Sequence, residues 1–373
     1  MKTKVISITF QVLVAVLLAL PASAQQQRKP LIQMAILLDT SGSMDGLINQ
    51  ARTQLWKVVN QFVATKKDGV RPELQVAVYE YGNDGLPANG GYLRMVSPLT
   101  TDLDAVSEAL FALKTNGGSE HCGQVIQAAV NGLSWSPSPA DLKVIFIAGN
   151  EPFTQGPVDF RQAVKAAIAK GIMVNTIFCG NRSEGENSGW KEGAQLADGS
   201  FMAIDQNRQV LEIAAPQDAE IRRLNDELNR TYVAYGARGK AAKARMAAQD
   251  KKAESAAPAA AAERAAFKSS GSYGAGGWDL VDAVKEGKAK AGDIPAEELP
   301  EEMRGMNAEQ QKAYLAEQQK KRAELQQKIQ KLAEERRKYI AEKQKEAAGA
   351  DTLDGAMIQS VREQAKKKAF QLE

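Results

Sequence analysis

Met34-Ala-Ile-Leu-Leu38 runs straight into Asp39-Thr-Ser41-Gly-Ser43. A short apolar run without polar alternation suits a strand buried on both faces. The turn that leaves it then carries three hard oxygen donors, Asp39, Ser41 and Ser43, at alternate positions. That is half of a cage for a small divalent cation. Such a donor set points to a metal-dependent binding face rather than to catalytic machinery.

Outward from this turn, residues 31 to about 215 alternate between two periods. Segments 31–38, 74–81, 142–148 and 172–178 are short runs rich in Val and Ile and read as strands, with weaker ones at 92–96 and 199–204. Between them lie helical stretches at 47–64, 103–113, 124–133 and 159–170. The first puts Leu47, Ile48, Leu55, Val58, Val59 and Phe62 on one face. This alternation predicts an α/β domain with a doubly wound, mostly parallel sheet flanked by helices. Ligands of such sheets bind at the carboxyl ends of the strands, where Asp39 lies.

Beyond Asn207 the character changes. A helix is expected over 210–235, closing a first domain at residues 25–236. Residues 237–277 are Ala- and Lys-rich, then Gly-rich, and are expected to be a linker unable to build a core. A short docking segment at 278–300 precedes a helical region at 301–373. Within 307–345, Leu315, Leu325, Ile329, Leu332 and Tyr339 fit a seven-residue repeat, with Gln318, Arg322 and Arg336 at intervening core positions. That pattern fits either a weak coiled coil, through which copies of the chain would associate, or one amphipathic helix folded on its neighbours.

The N-terminus reads as an export signal. Lys2 and Lys4 precede an apolar run at 12–20, and Pro21-Ala-Ser-Ala24 ends in small-x-small, so cleavage is expected after Ala24 and the location is periplasmic or secreted. The run is too short to span a membrane, and no stable insertion is expected after cleavage. Without the signal, 46 Lys and Arg stand against 45 Asp and Glu, a balance that gives no case for nucleic acid. Cys122 and Cys179 are an even pair in an exported chain, which favours a disulfide but is equally met by two buried thiols.

Asp39-x-Ser41-x-Ser43 at a strand exit, followed by an amphipathic helix, resembles the metal-ion-dependent adhesion site of von Willebrand factor type A domains. The resemblance runs from residue 31 to about 215. It implies bound Mg²⁺ or Mn²⁺, with an acidic side chain of a protein partner completing the shell. Asp39 would be the charged anchor and Ser41 and Ser43 direct hydroxyl ligands. The bland alternative gives Asp39 and Ser43 only a turn and a helix cap.

The family's later loops match less well. A threonine is expected near Gly117-Gly-Ser119-Glu120-His121-Cys122, where Ser119 is the preferred hydroxyl and Glu120 an alternative carboxylate. The third loop usually carries an aspartate where Gly149 stands, with Asn150 and Glu151 as imperfect substitutes. On this topology Cys122 and Cys179 reach the same end of the sheet, where a disulfide would pin the second loop.

Enzymatic readings are poorly supplied. His121 is the single histidine, which excludes His-rich zinc sites and the His-Glu-x-x-His type of protease. No phosphate-cradling Gly-x-x-x-x-Gly-Lys loop occurs, and the glycine tract at 271–277 follows no strand. The expected function is a non-enzymatic adhesion or scaffold module, with a metal-free envelope scaffold as the alternative.

Overall fold

The apolar run that ends at Asp39 forms strand β1 (Leu31–Asp39), buried along its whole length. The computed structural model describes residues 28–207, 213–346 and 353–372. The expected signal sequence, and the start of the helix expected from residue 210, lie outside the described residues. After β1 come α1 (Asp45–Val63), β2 (Thr65–Lys66), β3 (Glu73–Tyr81), β4 (Leu93–Thr100), α2 (Leu103–Ala112) and α3 (Cys122–Gly132). Then follow β5 (Leu142–Gly149), α4 (Phe160–Ala169), β6 (Met173–Cys179), α5 (Arg182–Asn187), α6 (Trp190–Gln195) and β7 (Phe201–Ile204).

Six of these strands form one sheet in the order β4-β3-β1-β5-β6-β7, antiparallel only at β4. Pro98 and the register shifts opposite Val78 are tolerated because β4 lies at the edge, where a missing ladder bond costs little. With β1 at the centre, Asp39 is paired with Tyr81 on one side, and Leu38 with Ala148 on the other. The ends of β1, β3 and β5 therefore converge on one spot.

Alternate residues of β1 serve two cores. Ile32, Met34, Ile36 and Leu38 pack with Trp56 and Phe62 of α1. Ala35 and Leu37 pack with Val125 of α3 and Val164 of α4. This alternation overturns the expected disulfide. Cys122 belongs to the α3 side and Cys179 to the α1 side, and both are free and buried. Both lie near the same end of the sheet, but the sheet itself separates them, so the sulfurs cannot meet at bonding distance.

The second half of the chain folds back on this sheet. It comprises α7 (Asp218–Arg230), α8 (Gly236–Ala256), α9 (Pro258–Ser269), α10 (Leu280–Lys285), α11 (Ala308–Glu346), α12 (Leu353–Lys367) and β8 (Gln371–Leu372), which pairs with β2. The segment expected as a linker is largely α8 and α9. It has few large apolar residues, with Phe267 stacked on Trp56 and Met246 packed beside α7, and an ionic network adds to its burial. The fully buried Arg264 meets Asp104 at 2.6 Å and Asp250 at 2.5 Å, and the Lys268 ammonium meets Asp250 at 2.7 Å.

The seven-residue repeat of α11 is likewise used within the chain. Leu325 and Ile329 pack into a core with Ile221, Leu224 and Leu228 of α7. Arg322 pairs with Asp279 at 2.6 Å and Asp282 at 2.7 Å, and Arg336 with Asp218 at 2.6 Å. The polar interruptions of the repeat are thus buried ion-pair positions, and the helix folds on its neighbours as the second expectation had it. α12 lies within the helical region expected at 301–373, but its docking was not foreseen: Met357 and Val361 cover the α1 side of the sheet, with Lys57 bonded to Asp354 at 2.6 Å and Asn175 to Gln364 at 3.1 Å.

Candidate metal centre

At the end of β1 the Asp39 carboxylate is wholly buried. One oxygen, Oδ1, accepts the Ser41 amide at 2.8 Å. The other, Oδ2, has no hydrogen-bond partner among the described residues, nor has the buried Ser41 hydroxyl or the Asn150 side-chain carbonyl. Each buried oxygen left so costs about 1–3 kcal/mol. These groups come from two loops that touch, since Asn150 Nδ2 donates to Ser43 Oγ at 3.2 Å.

The alternative in which Asp39 and Ser43 make a turn and a helix cap is met only in its turn, where Asp39 accepts the Ser41 amide. The α1 cap residue is Met44, and no side chain caps that helix. The chain turns by a Met44 amide to Ser41 carbonyl bond of 3.1 Å, which leaves the hydroxyls of Ser41 and Ser43 free of helix-capping duty.

The loop after β3, which sequence reading passed over, shapes the site by what it lacks. Gly82 has φ +76°, and a Cβ there would lie 2.8 Å from both Asp39 Oδ1 and the Glu120 side chain. Only glycine lets these two acids approach from either side. Asn83 fixes this loop, donating to the Lys114 carbonyl at 2.9 Å and accepting the Gly85 amide at 2.8 Å. A glycine immediately after a predicted strand was the available signal.

Glu120 is buried, and its amide donates to Gln155 Oε1 at 2.6 Å, joining the second loop to the third. The structure thus brings Glu120 together with Asp39, while Ser119 sits half-buried one residue earlier. Burial, opposed by the Ser41 hydrogen bond and reinforced by the charge of Glu120, pushes the Asp39 carboxyl up to about 7. Burial also raises Glu120, with the charges of Glu151 and Asp84 adding to the rise. Two acids held together out of water call for a proton or a cation.

Tyr81 accounts for the third loop. Its hydroxyl donates to the Ala148 carbonyl at 3.0 Å and lies 3.8 Å from the Cys122 sulfur. A Cβ on Gly149 would sit 2.4 Å from that hydroxyl and 3.0 Å from Asp39 Oδ2. An aspartate at 149 would need the space that Tyr81 fills.

The donor set fits a small hard cation. Carboxylate, hydroxyl and amide oxygens are the ligands Mg²⁺ and Ca²⁺ take, and three buried oxygens here have no other partner among the described residues. No group of three His, Cys, Asp or Glu side chains able to hold a metal gathers among the described residues.

A doubly wound sheet with hydroxyl and carboxylate groups at the carboxyl ends of its central strands defines a class of α/β domain. Residues 33–197 match the family model described as von Willebrand factor type A domain, and the sheet unit has that fold. No curated protein matches the sequence. Among solved structures, the chain is similar to conserved hypothetical protein BatB from Bacteroides thetaiotaomicron, at 17% identity over 47% of this chain and 90% of that one, TM-score 0.36. It is similar to the SpRpn10 VWA domain at 18% identity, over 48% and 90%, TM-score 0.35. A third is proximal thread matrix protein 1 from the mussel byssus with a zinc-occupied MIDAS motif, at 14% identity over 47% and 42%, TM-score 0.34.

Proposed function

We propose that this chain is an exported, non-enzymatic protein-binding module of the adhesion or scaffold type. Its sheet domain engages an acidic side chain of a partner through Mg²⁺ or Mn²⁺. Asp39 holds the cation as charged anchor, Ser41 and Ser43 supply hydroxyls, and Ser119 supplies a further hydroxyl from the second loop. Asn150 and Glu120 stand ready to add a carbonyl and a second carboxylate. The bound cation would supply an electron-poor position open to a partner's carboxylate.

The observation that carries this reading is the group of buried, unpartnered oxygens on Asp39, Ser41 and Asn150. Calorimetric titration with Mg²⁺ and Mn²⁺ tests it. Wild type should give saturable heat that Asp39→Ala abolishes, and equal, negligible heats from the two proteins would refute it. The Tyr81 hydroxyl supports the alternative of a metal-free scaffold, because it occupies the place of the third-loop acid. In that case Asp39 would be satisfied by its own proton below about pH 7.

Export rests on the N-terminal signal reading, with which a location in the periplasm or outside the cell is consistent. No helix among the described residues is long and apolar enough to cross a membrane.

A further inference from the structure

Seven residues beyond Asp45, and so about 10 Å along α1 from the metal loop, Arg52 enters an open groove of roughly 550 Å³ between α1, α2 and the end of α8. Asn49, Thr53, Phe111, Lys251 and Lys252 line it with Arg52. The Phe111 ring carries two cations, the Arg52 guanidinium at 6.0 Å and the Lys252 ammonium at 5.5 Å from its centroid.

Arg52 is held in place by neutral groups. Its Nε donates to the Leu110 carbonyl at 3.0 Å, Nη2 to the Leu113 carbonyl at 2.5 Å and Nη1 to Asn49 at 3.2 Å. The carboxylate that acts on it is Asp45, which accepts a hydrogen bond from Thr115 at 2.5 Å. Neither Lys251 nor Lys252 forms an ion pair among the described residues. By contrast Asp250, next in the chain, is saturated by Arg264 and Lys268, and Glu254 pairs with Arg222. A concave surface with three cations and no carboxylate of its own in its lining is built for a negatively charged guest.

We propose that this groove is an anion subsite that receives a second acidic side chain of the partner whose first carboxylate completes the cation at Asp39, Ser41 and Ser43. The inference rests on the metal-dependent reading for the first contact only. The separation sets the spacing of the guest, because three extended residues span about 10 Å. The ligand is an acidic peptide segment with carboxylates three residues apart. The near-neutral balance of charge over the chain favours a peptide over a nucleic acid.

The test uses the full chain in saturating Mg²⁺ and fluorescent peptides containing Asp-Gly-Gly-Asp or Asp-Gly-Gly-Asn between neutral flanks. Anisotropy titration should show about three- to tenfold tighter binding of the two-acid peptide. The double variant Lys251→Glu, Lys252→Glu should erase that gain while leaving the Mg²⁺ heat and the one-acid affinity unchanged. Equal affinities for the two peptides in wild type, or a gain that survives charge reversal, would overturn the subsite. So would a short single-stranded DNA that displaces the peptide with higher affinity. If wild type shows no Mg²⁺ heat, the metal reading fails. The subsite then still stands where the second acid raises affinity and the double variant removes the effect.

Discussion

Gly149→Ala should destabilise the sheet domain through a single atom. The added Cβ would lie 2.4 Å from the Tyr81 hydroxyl, about 1 Å inside normal contact, and 3.0 Å from Asp39 Oδ2. The tyrosine ring cannot swing aside, because it is fully buried with its hydroxyl bonded to Ala148. Overpacking of this kind costs about 1–3 kcal/mol, or on the order of 2–12 °C in melting temperature for a domain of this size. Tyr81→Phe alone should cost about 0.5–1.5 kcal/mol for the lost hydrogen bond. It also removes the clashing oxygen, so the two changes should not add. We expect Gly149→Ala in the Tyr81→Phe background to cost at least about 1 kcal/mol less than in wild type, a coupling within the range for residues in contact. Thermal unfolding of the four proteins measures this. Gly149→Ala costs that are equal in both backgrounds would refute the steric account. If the account holds, Gly149→Asp combined with Tyr81→Phe should restore a third-loop acid and tighten Mg²⁺ binding in calorimetry.

Four further outcomes follow from the same structure. Mg²⁺ affinity should fall as pH drops below about 7, because a proton then competes at Asp39; a flat calorimetric profile between pH 6 and 8 would argue that Asp39 is not the anchor. Without metal, the stabilisation from protonated Asp39 is complete below its ordinary value of 3.8 and is lost as pH rises through about 7. Asp39→Asn should therefore raise the metal-free melting temperature at pH 8 and change it little at pH 4. Arg264→Met should cost about 3–5 kcal/mol by leaving Asp104 without a cation and Asp250 with Lys268 alone, with α8 and α9 gaining protease sensitivity before the sheet does; an unchanged digestion pattern would count against the ionic anchoring of these helices. Burial raises both thiols well above their ordinary range, so mass spectrometry after alkylation should count two modified cysteines in unfolded protein and none in native protein. A two-hydrogen mass deficit with no labelling on unfolding would restore the disulfide.

The strand–helix alternation was legible because each element carries its own period. The six strands of the sheet stand within two residues of where the sequence put them, except at the C-terminal end of edge strand β4, which runs four residues further. The expected α1 seam of Leu47, Leu55, Val59 and Phe62 is buried as the spacing required. Local pattern also located the hard-donor turn at the end of β1, since Asp39, Ser41 and Ser43 are neighbours in the chain. It misjudged residues 237–269 because sequence composition displays apolar surface but not ion pairing. Arg264 and Lys268 look like solvent residues until Asp104 and Asp250 are placed against them.

By itself, then, the sequence determined the sheet, the helices over it and the position of a hard-donor turn at a strand exit. These depend on side chains a few residues apart, which periodicity records. The tertiary structure alone decided that Glu120 approaches Asp39 across Gly82, that Tyr81 fills the room above Gly149, and that the two cysteines lie on opposite sides of the sheet. It also decided that the repeat of α11 is spent inside the chain. Each of these joins residues 30 or more positions apart, where the outcome depends on which atoms reach the same space first.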